Sequence, residues 1–195
     1  METVVLKFTP QTRFTDDELF EFCQANRDLR IERNQKGELV IMSPVGGRTS
    51  SIHFIINGEL YQWYLLHRNA GILFDATAAF KLPDNSVLGP DAAFVSIEKW
   101  RRLSAQEQQK FPPITPDFVI EIRSASDSIT QQMNKMDQWI RNGCRLAWLI
   151  DPADQKAYIY HPDGAMVTVN SFSQTLSASP ILPGFELALS LLIQE

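Results

Sequence analysis

The sequence predicts a mixed α/β fold in one domain, and three observations carry that reading. Short runs rich in Val, Ile and Phe recur along the chain, bounded by Gly, Pro, Asn and Asp. Two longer segments, near residues 49–68 and after Ser128, repeat apolar residues at helical spacing. The 195 residues are 44% hydrophobic and 21% charged, with no repeat, linker or low-complexity tract, which suits a single core spanning residues 1–195. A chain of this length buries about 70% of its unfolded surface and needs no covalent staples.

The elements follow in order. Thr15-Asp-Asp-Glu18 is a capping box ahead of Leu19, Phe20, Phe22 and Cys23, and predicts a first short helix. Leu29–Arg33 and Glu38–Met42 alternate around Asn34-Gln35-Lys36-Gly37, which predicts a hairpin. Ser43-Pro44-Val45-Gly46-Gly47 leads into a helix from about Thr49 to Arg68, with Gly71 beyond its end. Ile52, Ile55, Ile56, Trp63 and Leu66 form its apolar stripe, and Glu59 falls inside that stripe, either paired with a buried base or contributing to a site. His53 and His67 read as surface residues of the same helix.

Residues 71–80 predict one or two strands, and 96–113 a polar surface excursion with a helical turn or two. Ser124–Ser128 supplies caps for a helix whose stripe is Ile129, Met133, Met136 and Ile140. Lys135 lies on the flank of that stripe, beside Gln132 and Trp139, where a lysine commonly reaches out to solvent. Asn142-Gly143 ends the helix, Leu146–Ile150 is a strand closed by Pro152, and Lys156–Tyr160 with Ala165–Val169 make another hairpin.

Composition narrows the function classes. Cys23 and Cys144 are the only cysteines, in no metal-like spacing, which excludes a disulfide framework and a cysteine zinc site. The N-terminus lacks the basic and apolar regions of a signal peptide, and no apolar run approaches the length of a membrane span, so a cytoplasmic protein with no membrane partner is expected. A net charge of −5 counts against a generic nucleic-acid coat protein, but not against a nuclease whose acids are neutralised by cations. The sequence has no phosphate-binding Gly-x-x-x-x-Gly-Lys loop, no Gly-x-Ser-x-Gly elbow and no histidine pair at zinc spacing, and no organic cofactor is expected.

Chemistry concentrates between Gly89 and Lys135. Gly89-Pro90-Asp91-Ala-Ala-Phe94-Val95 and Pro116-Asp117-Phe118-Val119-Ile120-Glu121-Ile122-Arg123 read as two strands, each carrying an acid amid apolar neighbours. An unpaired carboxylate there costs several kcal/mol, so a partner or an ion is expected nearby. Asp117 and Glu121 share a face but lie about 13 Å apart, too far to hold one ion. If the two strands are neighbours, about 4.8 Å apart, Asp91 and Glu121 converge. Arg123 shares the face of Glu121, about 6.6 Å further on. The pattern Pro-Asp…Glu-x-Arg is weak by itself, because Pro-Asp occurs four times here and two instances, at Pro83 and Pro162, are plain turns.

Order and spacing together are more specific. Glu32…Gly37-Glu38-Leu39…Met42-Ser43-Pro44, the long helix, Gly89-Pro90-Asp91, Pro116-Asp117…Glu121-Ile-Arg-Ser124, Lys135, Gly143, Trp148-Leu-Ile-Asp151-Pro152 and Leu182-Pro183-Gly184-Phe185 follow one another. This ensemble, from about Phe14 to Phe185, resembles the bacterial putative restriction-endonuclease family of the Pro-Asp-(Asp/Glu)-x-Lys nuclease superfamily. The resemblance implies a restriction-endonuclease-like core, a central mixed sheet flanked by helices, and hydrolysis of DNA phosphodiester bonds with Mg2+ or Mn2+. By position it implies Asp91 and Glu121 as metal ligands, Lys135 as the catalytic lysine supplied from the following helix, and Glu59 as a further acid on the long helix. Arg123 fills the strand slot, where it can bind phosphate but cannot transfer protons.

Magnesium takes one or two protein carboxylates and keeps several waters, which suits this set. A homodimer is expected, because two sites related by a twofold axis cut both strands. Two other readings remain open: a catalytically silent nuclease-fold domain acting in binding or regulation, and a purely structural set of salt bridges with Arg123 pairing Glu121 or Asp91.

Overall fold

The computed structural model describes residues 4–9 and 13–193; residues 1–3, part of the N-terminal stretch read above for a signal, lie outside the described residues. The chain runs β1 (Val4–Leu6), α1 (Asp16–Ala25), β2 (Arg30–Arg33), β3 (Leu39–Met42), α2 (Gly47–Leu66), β4 (Gly71–Asp75), β5 (Phe80–Lys81), β6 (Val87–Leu88) and β7 (Ala92–Ser96). Two short helices, α3 (Ile97–Trp100) and α4 (Ala105–Gln109), fill the polar excursion. Then come β8 (Phe118–Ile122), α5 (Ile129–Arg141), β9 (Leu146–Asp151), β10 (Lys156–Tyr160), β11 (Met166–Val169), β12 (Thr175–Ser177), β13 (Glu186–Ala188) and a 3-10 turn over Leu189–Leu192. The Thr15–Glu18 capping box forms as expected at the start of α1.

The central sheet has the order β11-β10-β9-β8-β7-β4. Only β8 and β9 are parallel, joined across α5; the other pairings are antiparallel, so the sheet is mixed. Period-2 alternation divides its side chains between two cores. Phe118, Ile120, Ile122, Phe94, Trp148 and Ile150 face Ile52, Ile56, Leu60 and Trp63 of α2 together with Phe172 and Phe185 of the C-terminal segment. Val119, Ala93, Val95, Ala147 and Leu149 face Met136 and Trp139 of α5. Glu121, one residue from Ile120 and Ile122, therefore points to the α5 side. The N-terminal strands form a second, antiparallel sheet of order β1-β3-β2-β6-β5, against which Leu19 of α1 packs with Ile31, Leu39 and Val87.

Both helical stripes differ from expectation. On α2 the buried positions are Ile52, Ile56, Leu60 and Trp63, while Leu66 is 84% exposed. The helix is apolar on its outer side too, with Phe54 81% exposed, so its sequence does not point to a single buried direction. On α5 the fully buried residues are Met136 and Trp139, which turns the supposed flank inward.

Arg123, just beyond β8, turns away from Glu121. Its Nη1 donates to Asp151 Oδ2 at 2.7 Å and its Nε to the Asp127 carbonyl at 3.1 Å, and Asp154 lies 3.8 Å away. Asp151 is completely buried at the end of β9, so this cation neutralises a carboxylate on the neighbouring strand. Arg123→Ala is expected to lower stability by about 1.5–3 kcal/mol in urea denaturation, the usual worth of a hydrogen bond to a charged group. It is also expected to leave divalent-cation binding unchanged, and a variant of wild-type stability would contradict the structural assignment.

Candidate active site

A cavity of about 760 Å³ lies between the two sheets, with Asp91, Glu121, Lys135, Glu32, Arg30 and His53 among its lining residues. β7 and β8 are antiparallel neighbours with Ala92 opposite Ile120, which brings the two acids together as the strand spacing required. Asp91 is tied to β8 twice: its backbone N–H donates to the Ile120 carbonyl at 3.0 Å, and its Oδ2 accepts the Ile122 N–H at 2.7 Å. Arg30 Nη1 donates to Asp91 Oδ1 at 2.9 Å. Asp91 and Glu121 are only 4% and 2% exposed.

Lys135 reaches inward from α5. Its Nζ donates to Glu32 Oε1 at 2.8 Å, to the Gly89 carbonyl at 2.9 Å, and lies 2.9–3.0 Å from the two Glu121 oxygens. Trp139, one turn further along, donates its indole N–H to Glu121 Oε1 at 2.9 Å. The Gly89 N–H also donates to Glu32 Oε1 at 2.9 Å. Gly89 has to be glycine here, since a Cβ would sit 2.9 Å from the Ala78 carbonyl oxygen. Burial opposes the charge on Lys135, but Glu121 and Glu32 outweigh it and hold the pKa above the ordinary lysine value. Arg30 is likewise raised, against burial, by Asp91, Glu32 and Glu121.

Three carboxylates (Glu32, Asp91, Glu121) thus share two cations, Arg30 and Lys135, a surplus of one negative charge. The surplus falls on Glu121. Burial pushes its carboxyl up to about 7, with Asp91 and Glu32 adding to the rise and Lys135 and Arg30 opposing it. Hard oxygen donors short of positive charge suit a hard divalent cation. Asp91 and Glu121 are the residues that could hold one. Among the described residues, no three His, Cys, Asp or Glu side chains form a ready-made metal cage. Magnesium, which keeps several waters, does not require one.

Of the residues singled out in the sequence, Asp91, Glu121 and Lys135 meet in this cavity, and Arg123 is absent from its lining. Glu59 is half-buried on α2 and does not line the cavity either, because Leu60 takes the inward position beside it. His53, read as a surface residue, lines the cavity instead: its side chain is 14% exposed, and Nε2 lies 3.8 Å from Asp91 Oδ2. Glu32, Arg30 and Trp139 were given no role in the sequence. The alternation of Arg30 and Glu32 on one face of β2 was the available signal, but charged outer faces of hairpins are too common to single out.

The raised carboxyl of Glu121 fixes a sign for pH dependence. The unfolded chain ionises this group near 4.5 and the fold near 7, so between those values the fold holds the extra proton. This group's contribution to stability therefore falls as pH rises through that window. The stability of wild type relative to Glu121→Gln is expected to decline from pH 4.5 to 7 in parallel urea titrations without divalent ions. A difference that grows with pH would mean Glu121 titrates below its ordinary value.

Among the described residues, no helix is long and apolar enough to cross a membrane. No curated protein matches the chain significantly. Among solved structures, it is similar to a putative nuclease belonging to DUF820 from Anabaena variabilis, with a TM-score of 0.71 and 19% identity over 92% of this chain and 97% of that one. At that identity the likeness speaks for a shared fold alone. The sequence profile described as "Putative restriction endonuclease" matches residues 16–190, and with nearly the whole chain covered the protein belongs to that family, Uma2.

Proposed function

We propose that the protein is a divalent-metal-dependent endonuclease that hydrolyses DNA phosphodiester bonds at the Asp91–Glu121–Lys135 cluster. The observation that carries this reading is a partly buried lysine within 3.0 Å of a buried glutamate, beside an aspartate on the adjacent strand, in a cluster with surplus negative charge. Family membership supports the nuclease class.

Asp91 and Glu121 supply carboxylate oxygens for Mg2+ or Mn2+. The Ile122 and Trp139 N–H groups fix the rotation of those carboxylates, which lowers the cost of arranging them for a ligand. When bound, the cation lowers the pKa of a water and neutralises charge growing on the phosphate. Glu121 and Glu32 favour the charged form of Lys135, which suits it to orient the attacking water or steady the phosphate oxygens as a donor. Glu32 holds the Lys135 ammonium in place from the opposite side.

A catalytically silent nuclease-fold domain is the alternative, motivated by Arg123 in the strand slot and by the net charge of −5. Arg123 is engaged by Asp151 and Lys135 lies beside Glu121, which removes the first ground and leaves the second. A homodimer remains the simplest way to cut both strands, and sedimentation as a monomer at micromolar concentration would remove that part of the reading.

Plasmid nicking with Mg2+ or Mn2+ tests the proposal. Asp91→Ala and Lys135→Ala are each expected to reduce cleavage about a hundredfold or more, in line with loss of one charge-stabilising group. Cleavage undiminished in Asp91→Ala would refute the site.

A further inference from the structure

His53 carries an observation that the Asp91–Glu121–Lys135 reading leaves unused. Its Nε2 is buried and makes no hydrogen bond, although it lies in a cavity full of polar groups. A buried nitrogen without a partner is costly to keep, so its position calls for an explanation. The 3.8 Å separation from Asp91 Oδ2 is too long for a hydrogen bond between them. It is, however, a distance at which both atoms reach one ion. Two ligands about 2.1 Å from a common cation lie about 3.0 Å apart at a right angle and about 4.2 Å apart when opposite.

We propose that His53 is a metal ligand alongside Asp91, with Nε2 and Oδ2 holding one divalent cation between them, and that this nitrogen makes the site prefer Mn2+ to Mg2+. The inference rests on the metal-dependent reading above and names the ion that reading takes. Asp91 is free to play its part. Oδ1 is occupied by Arg30, whereas Oδ2 accepts only the Ile122 N–H and keeps a second lone pair. The element that carries His53 is rigid, because Ile52 and Ile56 of the same helix are fully buried, and Asn57 Nδ2 donates to the His53 carbonyl at 2.8 Å. The preference follows from ligand type: magnesium takes oxygen almost exclusively, while transition ions accept imidazole nitrogen readily. Glu121, on the neighbouring strand, would supply the second carboxylate of that reading.

The test is Mn2+ and Mg2+ binding by calorimetry, with pulsed electron paramagnetic resonance of the Mn2+-loaded protein. Wild type is expected to show a nitrogen coupling to Mn2+. The other two histidines, His67 and His161, do not line the cavity and cannot supply it. His53→Ala is expected to weaken Mn2+ about tenfold or more, with Mg2+ affected far less, and to abolish the coupling. His53→Gln, which keeps the volume, serves if the alanine variant folds poorly. Bound Mn2+ with no nitrogen coupling, or equal Mn2+ affinity in wild type and His53→Gln, overturns the His53 assignment. In that case Asp91→Ala still losing the ion would leave the two-carboxylate reading standing. Wild type that binds no Mn2+ at all overturns both.

Discussion

The Lys135 ammonium holds the site's architecture together. An isolated charge buried in this position would be prohibitively costly, and the protein meets that cost by surrounding it with Glu32, Glu121 and the Gly89 carbonyl. The lysine and its partners come from four separate places: α5, β2 in the N-terminal sheet, the turn before β7, and the C-terminal end of β8. Each depends on the others. Without Glu32 the lysine loses the anion that holds it from the N-terminal side. Without the close approach at Gly89 there is neither room for the Ala78 carbonyl nor a backbone N–H for Glu32. Lys135, together with Arg30 of β2, thus ties the small sheet to the large one and fixes the geometry of the acids between them.

That interdependence explains what was legible in the sequence and what was not. Asp91 and Glu121 could be paired from the amino-acid sequence alone, because strand spacing and period-2 alternation are local rules and the two strands are indeed neighbours. Periodicity places Lys135 on α5 but leaves it on a flank that faces solvent as often as it faces a site. The wheel of α5 ranked Ile129, Met133, Met136 and Ile140 as the stripe and left Trp139 on a polar flank. An indole can be fully buried once its N–H has an acceptor, and Glu121 is that acceptor. The inward flank is then the one that carries Lys135. Glu59 lies outside the cavity lining for a related reason. α2 is apolar on two sides, so the periodicity fixes a helix without fixing its rotation, and the packing chooses Leu60. Glu32, Arg30 and His53 were out of reach, because only tertiary contacts between distant segments give them a role.

The exchange between Arg123 and Lys135 follows from electrostatics between parallel strands. β8 and β9 run in register, with Ile122 opposite Ile150, so Arg123 and Asp151 emerge side by side at the ends of the two strands. Asp151 is fully buried and needs a cation there. If Arg123 swung back toward Glu121, that carboxylate would be stranded in the interior, at a cost larger than any gain at a site Lys135 already serves. The strand slot is therefore committed to the scaffold, and the helix provides the site's lysine. A cation two residues after the strand glutamate is no guide to function unless the neighbouring strand is also read.

The charge arrangement also constrains how a nucleic acid could be bound under the proposed reading. The chain carries a net charge of −5, and the inner cluster of the cavity sets three carboxylates against two cations that are both committed to them. A phosphate entering that cavity alone would meet uncompensated negative charge in a weakly screened interior. A divalent cation reverses the sign of the local charge, so ion and substrate bind with positive coupling through Coulomb energy alone, without any conformational step. The coupling is reciprocal: whatever factor the ion contributes to phosphate affinity, a bound phosphate returns to the ion. Under that reading the site would hold its metal weakly by itself and firmly in the presence of substrate, with the raised carboxyl of Glu121 marking where the incompleteness is concentrated.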